Sequence, residues 1–317
     1  MIGVTSTAAG QPAPGPRVWA IGGGKGGIGK SVIAANLAVI LAQRGFRVVL
    51  IDADLGGANL HTILGVSGKG PTLTDFLHRR SERLAEIMVP TRTAGLSLIS
   101  GHRAPVDSAN PKHAQKARLL RQIAALPADH VVLDLGAGSG FNVLDFFLAA
   151  ENGVVVVIPE ATSVENAYQF LKAAYFRKLR RAQPRERVRQ AMAAAMAHLD
   201  ALGIRSPREL VLRVRETDPV AAEGLLREAR GFDPAILINR VQRPEHRQLG
   251  LDMGLALEDY FGRRVRLLGT LDEDEMIAHS VRERRPAADR FPDCSFVGAL
   301  QEVVNRMAGG REVVRGA

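Results

Sequence analysis

Gly22-Gly23-Gly24-Lys25-Gly26-Gly27-Ile28-Gly29-Lys30-Ser31 is the stretch that decides how the rest of the chain folds. A short apolar run, Val18-Trp19-Ala20-Ile21, leads into it, and an Ala/Leu-rich run from Val32 to Ala42 follows, ending at Arg44-Gly45. A basic last turn followed by glycine is a usual helix stop. Strand, glycine loop and helix together form the setting of a phosphate-binding loop, and Gly24-x-x-x-x-Gly29-Lys30-Ser31 meets that pattern at every fixed position. Glycines let backbone N–H groups turn inward around phosphate oxygens, and the helix start adds unpaired N–H groups and a positive dipole end. In this chemistry Lys30 reaches the outer phosphates as a point charge and the Ser31 hydroxyl ligates a magnesium ion. Two other readings compete. Gly22-x-Gly24-x-x-Gly27 also fits a dinucleotide fingerprint, and a glycine turn can be purely structural. A dinucleotide site has no use for Lys30-Ser31, and the extra Lys25 implies more negative charge than a pyrophosphate carries.

Working outward, Val48-Val49-Leu50-Ile51 and His130-Val131-Val132-Leu133 are continuous apolar runs of the kind that form strands buried on both faces. Each ends in carboxylates: Asp52-Ala53-Asp54 after the first, and Asp134 with Gly136-Ala137-Gly138-Ser139-Gly140 after the second. Ligands of parallel α/β sheets lie beyond the carboxyl ends of strands, so these acids should share a crevice with the glycine loop. An acid in that place either serves a metal shell and water or caps the next helix. Further strands are expected at Leu96 to Ile99, Gly153 to Ile158, Ile236 to Asn239 and Val265 to Gly269. The alternation predicts an α/β fold: a doubly wound, mostly parallel sheet with helices on both faces.

The alternation breaks between Glu160 and Pro234, where only helical signals occur: Ser163 to Arg181, Arg185 to Leu202, Pro207 to Arg215 and Pro219 to Arg230. A helical insertion over about 163–232 is the expectation. From Leu171 to Gln190 it carries Lys172, Arg177, Lys178, Arg180, Arg181, Arg185, Arg187 and Arg189 against Glu186 alone. That run is either a solvated face or a surface for DNA or anionic lipid. No aromatic residues interleave with the arginines, as single-strand stacking would need. Residues 1–16 read as a flexible leader ahead of one domain spanning 17–317. They lack the basic start and apolar block of a secretion signal. Near the other end, Phe296, Leu300, Val303, Val304 and Met307 share one face of a helix over about 295–307. It either closes the core or meets lipid. The balance of 42 Lys+Arg against 33 Asp+Glu permits an anionic partner. The single Cys294 excludes a disulfide framework or a cysteine cluster within one chain, and makes the cytoplasm the default compartment.

These residues resemble the MinD/ParA family of deviant Walker-A P-loop ATPases, whose loop Lys-Gly-Gly-x-Gly-Lys-[Ser/Thr] is Lys25 to Ser31 here. Within the family the likeness is greatest to the flagellar-number regulators of the FlhG/FleN branch. It is carried by Asp52 to Leu60, Asp134 to Gly138, Pro159-Glu160-Ala161-Thr162-Ser163 with Ala167-Tyr168, Asn239-Arg240-Val241 and Arg285-Pro286. The resemblance implies a slow ATP hydrolase used as a switch, with ATP and Mg²⁺ as ligands. It implies that Gly24, Lys25, Gly26, Gly27, Ile28, Gly29, Lys30 and Ser31 hold the nucleotide, with Lys30 on the β- and γ-phosphates. Lys25 would reach across a homodimer to the partner's nucleotide. Ser31 would hold Mg²⁺, with Asp134 and Asp52 in the metal shell, and Asp54 would orient the attacking water. Asn239 would contact adenine, or else is a turn residue.

The implied role is spatial or numerical regulation, of flagella or of a cell-pole or division site. It would act through a regulatory partner such as a flagellar GTPase or a transcription regulator. Peripheral contact with the inner face of the cell membrane would use 295–307. A partition ATPase that binds nucleoid DNA through Arg177, Arg180 and Arg181 is the alternative. Metal-cluster carriers of the same superfamily use paired cysteines, which a lone Cys294 does not supply. The chain departs from the flagellar pattern in residues 1–16, which show no Gln-containing helix of the kind that stimulates a partner GTPase. It departs again in Leu268-Gly269-Thr270-Leu271-Asp272, where relatives often carry proline.

Overall fold

The protein is described from a computed structural model covering residues 15–101, 111–181, 206–262 and 265–308. The expected leader up to residue 14 and the helix expected over 185–202 lie outside the described residues. Eight strands form one sheet: β1 (Arg17–Gly22), β2 (Val48–Asp52), β3 (Val89–Pro90), β4 (Leu96–Ile99), β5 (His130–Asp134), β6 (Asn152–Val157), β7 (Ala235–Val241) and β8 (Arg266–Asp272). Their order is β3-β4-β2-β5-β1-β6-β7-β8, and every pairing is parallel except that of the two-residue edge strand β3. This is the doubly wound, mostly parallel α/β sheet the sequence predicts. β2 and β5 are buried at every position because helices cover both faces, which is why they read as unbroken apolar runs.

One face is covered by α1 (Lys30–Gln43), α2 (Leu60–Ile63), α10 (Glu275–Arg282), α11 (Ala287–Arg290) and α12 (Ser295–Ala308). The other carries α3 (Leu73–Leu77), α4 (His113–Ala124), α5 (Phe141–Ala149), α6 (Ala161–Arg181), α7 (Pro207–Thr217), α8 (Pro219–Arg230) and α9 (Glu245–Phe261). Helix α1 is apolar on all sides and buried from Ile33 to Ala42. It lies between the sheet and α12, so no solvent-facing stripe is required of it. The Asn36 side chain ties it to α11 by accepting from the Ala288 N–H at 2.8 Å.

The structure departs from one expectation and decides between two alternatives at another. The expected insertion begins with α6, which is no insertion. It is the crossover from β6, burying Ala167, Phe170, Leu171, Ala174, Tyr175, Phe176 and Leu179 against the sheet. Its cations are largely engaged: Arg177 and Arg181 pair with Asp145, and Lys178 donates to the Gly231 carbonyl at 2.9 Å. Among the described residues, what remains of the expected insertion is α7 and α8, and α8 buries Leu225 and Ala229 in the core. Of the two alternatives for 295–307, closing the core is the one realised. Phe296, Leu300, Val303, Val304 and Met307 are all buried in the core. Arg306 fastens the helix end by donating to the Leu268 carbonyl at 2.7 Å. Membrane contact through 295–307 is therefore closed while α12 is docked. No helix among the described residues is long and apolar enough to cross a membrane.

Candidate functional site

Strand β1 lies between β5 and β6, at the point where the winding reverses, and the glycine loop leaves its carboxyl end. As the last residues of β2 and β5, Asp52 and Asp134 are direct cross-strand neighbours. Beyond β6 comes Glu160, and on β7 Asn239. Parallel strands aim all these ends into one crevice. Residues far apart in sequence meet there because the register leaves them nowhere else to go.

The loop conformation explains its glycines at two positions. Gly29 has φ +95°, and a Cβ there would stand 2.4 Å from the Asn239 amide nitrogen. A Cβ on Gly24 would meet the Asn166 carbonyl oxygen at 2.2 Å. Between them, Gly26 and Gly27 leave the backbone bare, and Ile28 anchors the loop by burying its side chain in the core. The Lys30 ammonium folds back over the loop, donating to the Lys25 carbonyl at 3.1 Å. Burial lowers the Lys30 pKa, against the opposing pull of the Asp134 and Asp54 carboxylates.

Lys25 behaves differently from Lys30. Its ammonium points away from the loop interior and donates to Glu160 Oε2 at 2.6 Å and Thr162 Oγ1 at 3.0 Å. The pair is open to solvent, with the lysine 35% and the glutamate 55% exposed. Glu160 and Thr162 had no role assigned from the sequence. They are marked in the sequence by their position after a central strand and by the Pro159 to Ser163 stretch that shares in the family resemblance.

Asp52 and Asp134 sit side by side, almost fully buried. Burial pushes both carboxyls above the ordinary carboxylate range, and the Asp52 charge adds to the effect at Asp134. A hydrogen bond from Ser31 to Asp134 works in the other direction. Asp52 Oδ2 accepts from the Leu60 N–H at 3.1 Å, so the helix-capping alternative is realised for this residue on one of its oxygens. Asp52 Oδ1 and Asp134 Oδ1 are both buried with no hydrogen-bond partner. Two orphaned carboxylate oxygens beside the Ser31 hydroxyl fit the outer shell of a hydrated Mg²⁺, whose remaining ligands would come from phosphate and water. Among the described residues no cluster of three or more acidic, His or Cys side chains is placed to hold a metal unaided. Asp54 closes its own turn, accepting from Gly56 and Gly57 N–H at 3.3 and 3.0 Å. It also abuts the loop after β5, where a Cβ on Gly136 would lie 3.2 Å from Asp54 Oδ1.

Asn239 is 6% exposed and its Nδ2 donates to the Ile28 carbonyl at 2.9 Å. In this conformation it braces the glycine loop, a different duty from the expected base contact. A cavity of about 690 Å³ opens two residues further on, lined by Val241, Gln242, Arg243, Pro244, Arg247 and the 272–275 turn. Arg247 spans it to Asp272 at 2.6 Å. At its edge Arg240 adopts a left-handed backbone, φ +56°, at the bulge where β7 and β8 lose register. Strained backbone of this kind concentrates at binding sites. In the sequence this region is marked only by Asn239-Arg240-Val241 and Leu268 to Asp272, the stretches compared with the family pattern.

Residues 16–180 match the ParA family, described as NUBPL iron-transfer P-loop NTPases. Antiactivator FleN of Pseudomonas aeruginosa is 38% identical over 157 residues, covering 49% of this chain and 55% of FleN. The flagellum site-determining protein YlxH of Helicobacter pylori is 36% identical over 162 residues, covering 48% of this chain and 52% of YlxH. The chain thus spans about half the length of the curated relatives it matches. In overall fold it is similar to the septum site-determining protein MinD of Pyrococcus horikoshii, solved with Mg-ADP. The TM-score is 0.64 at 20% identity, over 94% of this chain and 99% of that one. With the loop, the paired aspartates and half of the chain matched, this protein belongs to the ParA/MinD family of P-loop NTPases.

Proposed function

We infer that the protein is an ATP-driven dimerisation switch that regulates where, or how many, flagella or comparable polar machines are built. The observation that carries this is the division of labour between two loop amines. Lys30 is turned in over the phosphate cradle, while Lys25 is held outward on a solvent-exposed ion pair. An amine held outward on Glu160 and Thr162 is turned away from the phosphates of its own chain. It fits the nucleotide of a second copy. Exposed ion pairs are worth about 0–1 kcal/mol, so Glu160 and Thr162 can release Lys25 with little loss.

In the bound state the loop N–H groups and Lys30 would hold the β- and γ-phosphates. Ser31 would hold Mg²⁺, with Asp134 and Asp52 behind it. The ion supplies charge neutralisation at the phosphates. Asp54, next to Gly136, would orient the attacking water. The base would occupy the cavity between the ends of β7 and β8, with Asn239 fixing the loop beside it. Loss of the γ-phosphate contacts would favour separate chains, so slow hydrolysis sets the lifetime of the pair.

The flagellar assignment is supported by two of the matched relatives, the antiactivator FleN and the flagellum site-determining protein YlxH. Partner proteins, such as a flagellar GTPase or a transcription regulator, would read the paired state. The DNA-partition reading is not adopted, because Asp145 already engages two of the three arginines it relies on. Iron transfer, named in the family description, is not carried over to a chain with one half-buried cysteine. Sedimentation with Mg²⁺ and a slowly hydrolysed ATP analogue tests the proposal. Dimers should form with the analogue and dissociate with ADP, and a chain that stays solitary with bound analogue overturns it.

A further inference from the structure

Away from the loop, one buried carboxylate gathers three cations. Asp145, on α5, is fully buried and pairs with Lys116 of α4 and with Arg177 and Arg181 of α6. Arg177 Nη2 lies 2.7 Å from Asp145 Oδ2 and Arg181 Nη2 2.8 Å from Oδ1. Those two arginines already neutralise the carboxylate. A lysine that is itself 7% exposed is therefore surplus to charge balance, and burying it is unfavourable without a further contact. That contact is Asn142, whose Oδ1 accepts from Lys116 Nζ at 3.0 Å.

Asn142 stands one residue into α5. The helix follows directly on the Gly136–Gly140 loop, and its N-cap, Gly140, provides no side-chain bond. Gly138 has φ +85°, a left-handed conformation that favours glycine and gives the loop a place to hinge. Asn142 also lines a small cavity of about 120 Å³ with Asp54, Gly56, Gly136 and Ala137. Lys116 thus connects the Asp145 hub to the wall of the space beside Asp54.

We propose that Lys116 is a positioning residue for the hydrolytic step: by bridging Asn142 and Asp145 it clamps the first turn of α5 and fixes the 136–140 loop against Asp54. The proposal rests on the ATPase reading for its catalytic consequence, but not for its structural one. Two variants separate the link from the hub. Lys116→Met removes the bridge and leaves Asp145 paired with both arginines. Asn142→Ala breaks the link and leaves all three cations on Asp145. Lys116→Arg retains the donors.

Expected of both link-breaking variants is a kcat about tenfold lower, or about 1.4 kcal/mol on the barrier. Affinity for a fluorescent ATP analogue should stay within a factor of about two, because the loop that binds phosphate is untouched. Amide exchange of 136–143 in nucleotide-free protein should quicken several-fold, and Lys116→Arg should restore both quantities. Unchanged exchange in Asn142→Ala overturns the proposal, as does a parallel fall of kcat, affinity and melting temperature in Lys116→Met. If wild-type protein proves unable to hydrolyse ATP, the ATPase reading fails. The exchange measurement then still decides whether Lys116 holds the loop.

Discussion

Replacing Lys25 by alanine separates the two lysines' functions. A charge-assisted hydrogen bond to phosphate contributes about 1.5–3 kcal/mol, and a symmetric pair contains two such contacts, so about 3–6 kcal/mol of dimerisation free energy is at stake. Part of this is offset in the wild type. Each Lys25 must first leave Glu160 and Thr162, and that solvent-exposed contact is worth about 0–1 kcal/mol. The variant has no such contact to break. With two such contacts released, the net loss is about 1–6 kcal/mol, centred on about 3.5 kcal/mol, and at that centre dimerisation weakens by about two to three orders of magnitude. Nucleotide affinity of the single chain should change little, because the lysine side chain points out of the loop and Lys30 remains over it. Sedimentation velocity across a concentration series with Mg²⁺ and a slowly hydrolysed analogue gives the dimer constant, and fluorescence titration gives the monomer affinity. A variant that dimerises within threefold of wild type would refute the trans assignment. One that lost nucleotide affinity and dimerisation together would show Lys25 acting on its own chain.

Three further outcomes follow from individual contacts. Asn239→Ala removes the donor to the Ile28 carbonyl and leaves that buried oxygen unsatisfied, a loss of about 1–3 kcal/mol. Isothermal titration should show nucleotide affinity about tenfold weaker, whereas an unchanged affinity would mean the brace is dispensable. Leu300→Ala, at a fully buried position of α12, should destabilise by about 2–5 kcal/mol in urea titrations, and a loss under 1 kcal/mol would show the helix only loosely docked. His130 accepts from the Trp19 indole N–H at 2.9 Å, and burial, helped by the Arg17 charge, depresses its pKa from 6.5 to about 4. A depressed folded-state value means the unfolded chain takes up the proton first. The stabilisation is thus complete above about pH 6.5 and erodes toward pH 4, by at most roughly 3 kcal/mol. Denaturation followed by emission of Trp19, the sole tryptophan, should show a shallower acid slope in His130→Gln. An identical slope would place the acid sensitivity elsewhere.

What the sequence determined by itself is local and periodic. Apolar strand, glycine loop and apolar helix fixed β1, the loop and α1, because Gly and Lys at those spacings suit phosphate and little else. Unbroken apolar runs ending in Asp52 and Asp134 fixed two buried parallel strands and the end of the sheet at which the site lies. Tertiary structure decided the rest, because the deciding contacts join residues that no short-range pattern connects. Lys25 meets Glu160 across 135 positions and Asn239 meets Ile28 across 211. The stripe on 295–307 reads identically for lipid or for core, since both accept one apolar face. Only the presence of β8 and α1 beneath it settles that the face is buried. The basic run on α6 likewise resembled a free surface until folding brought Asp145 under it. A sequence records which side chains carry charge, but only the fold supplies the counter-charges and the burial that set what each of them does.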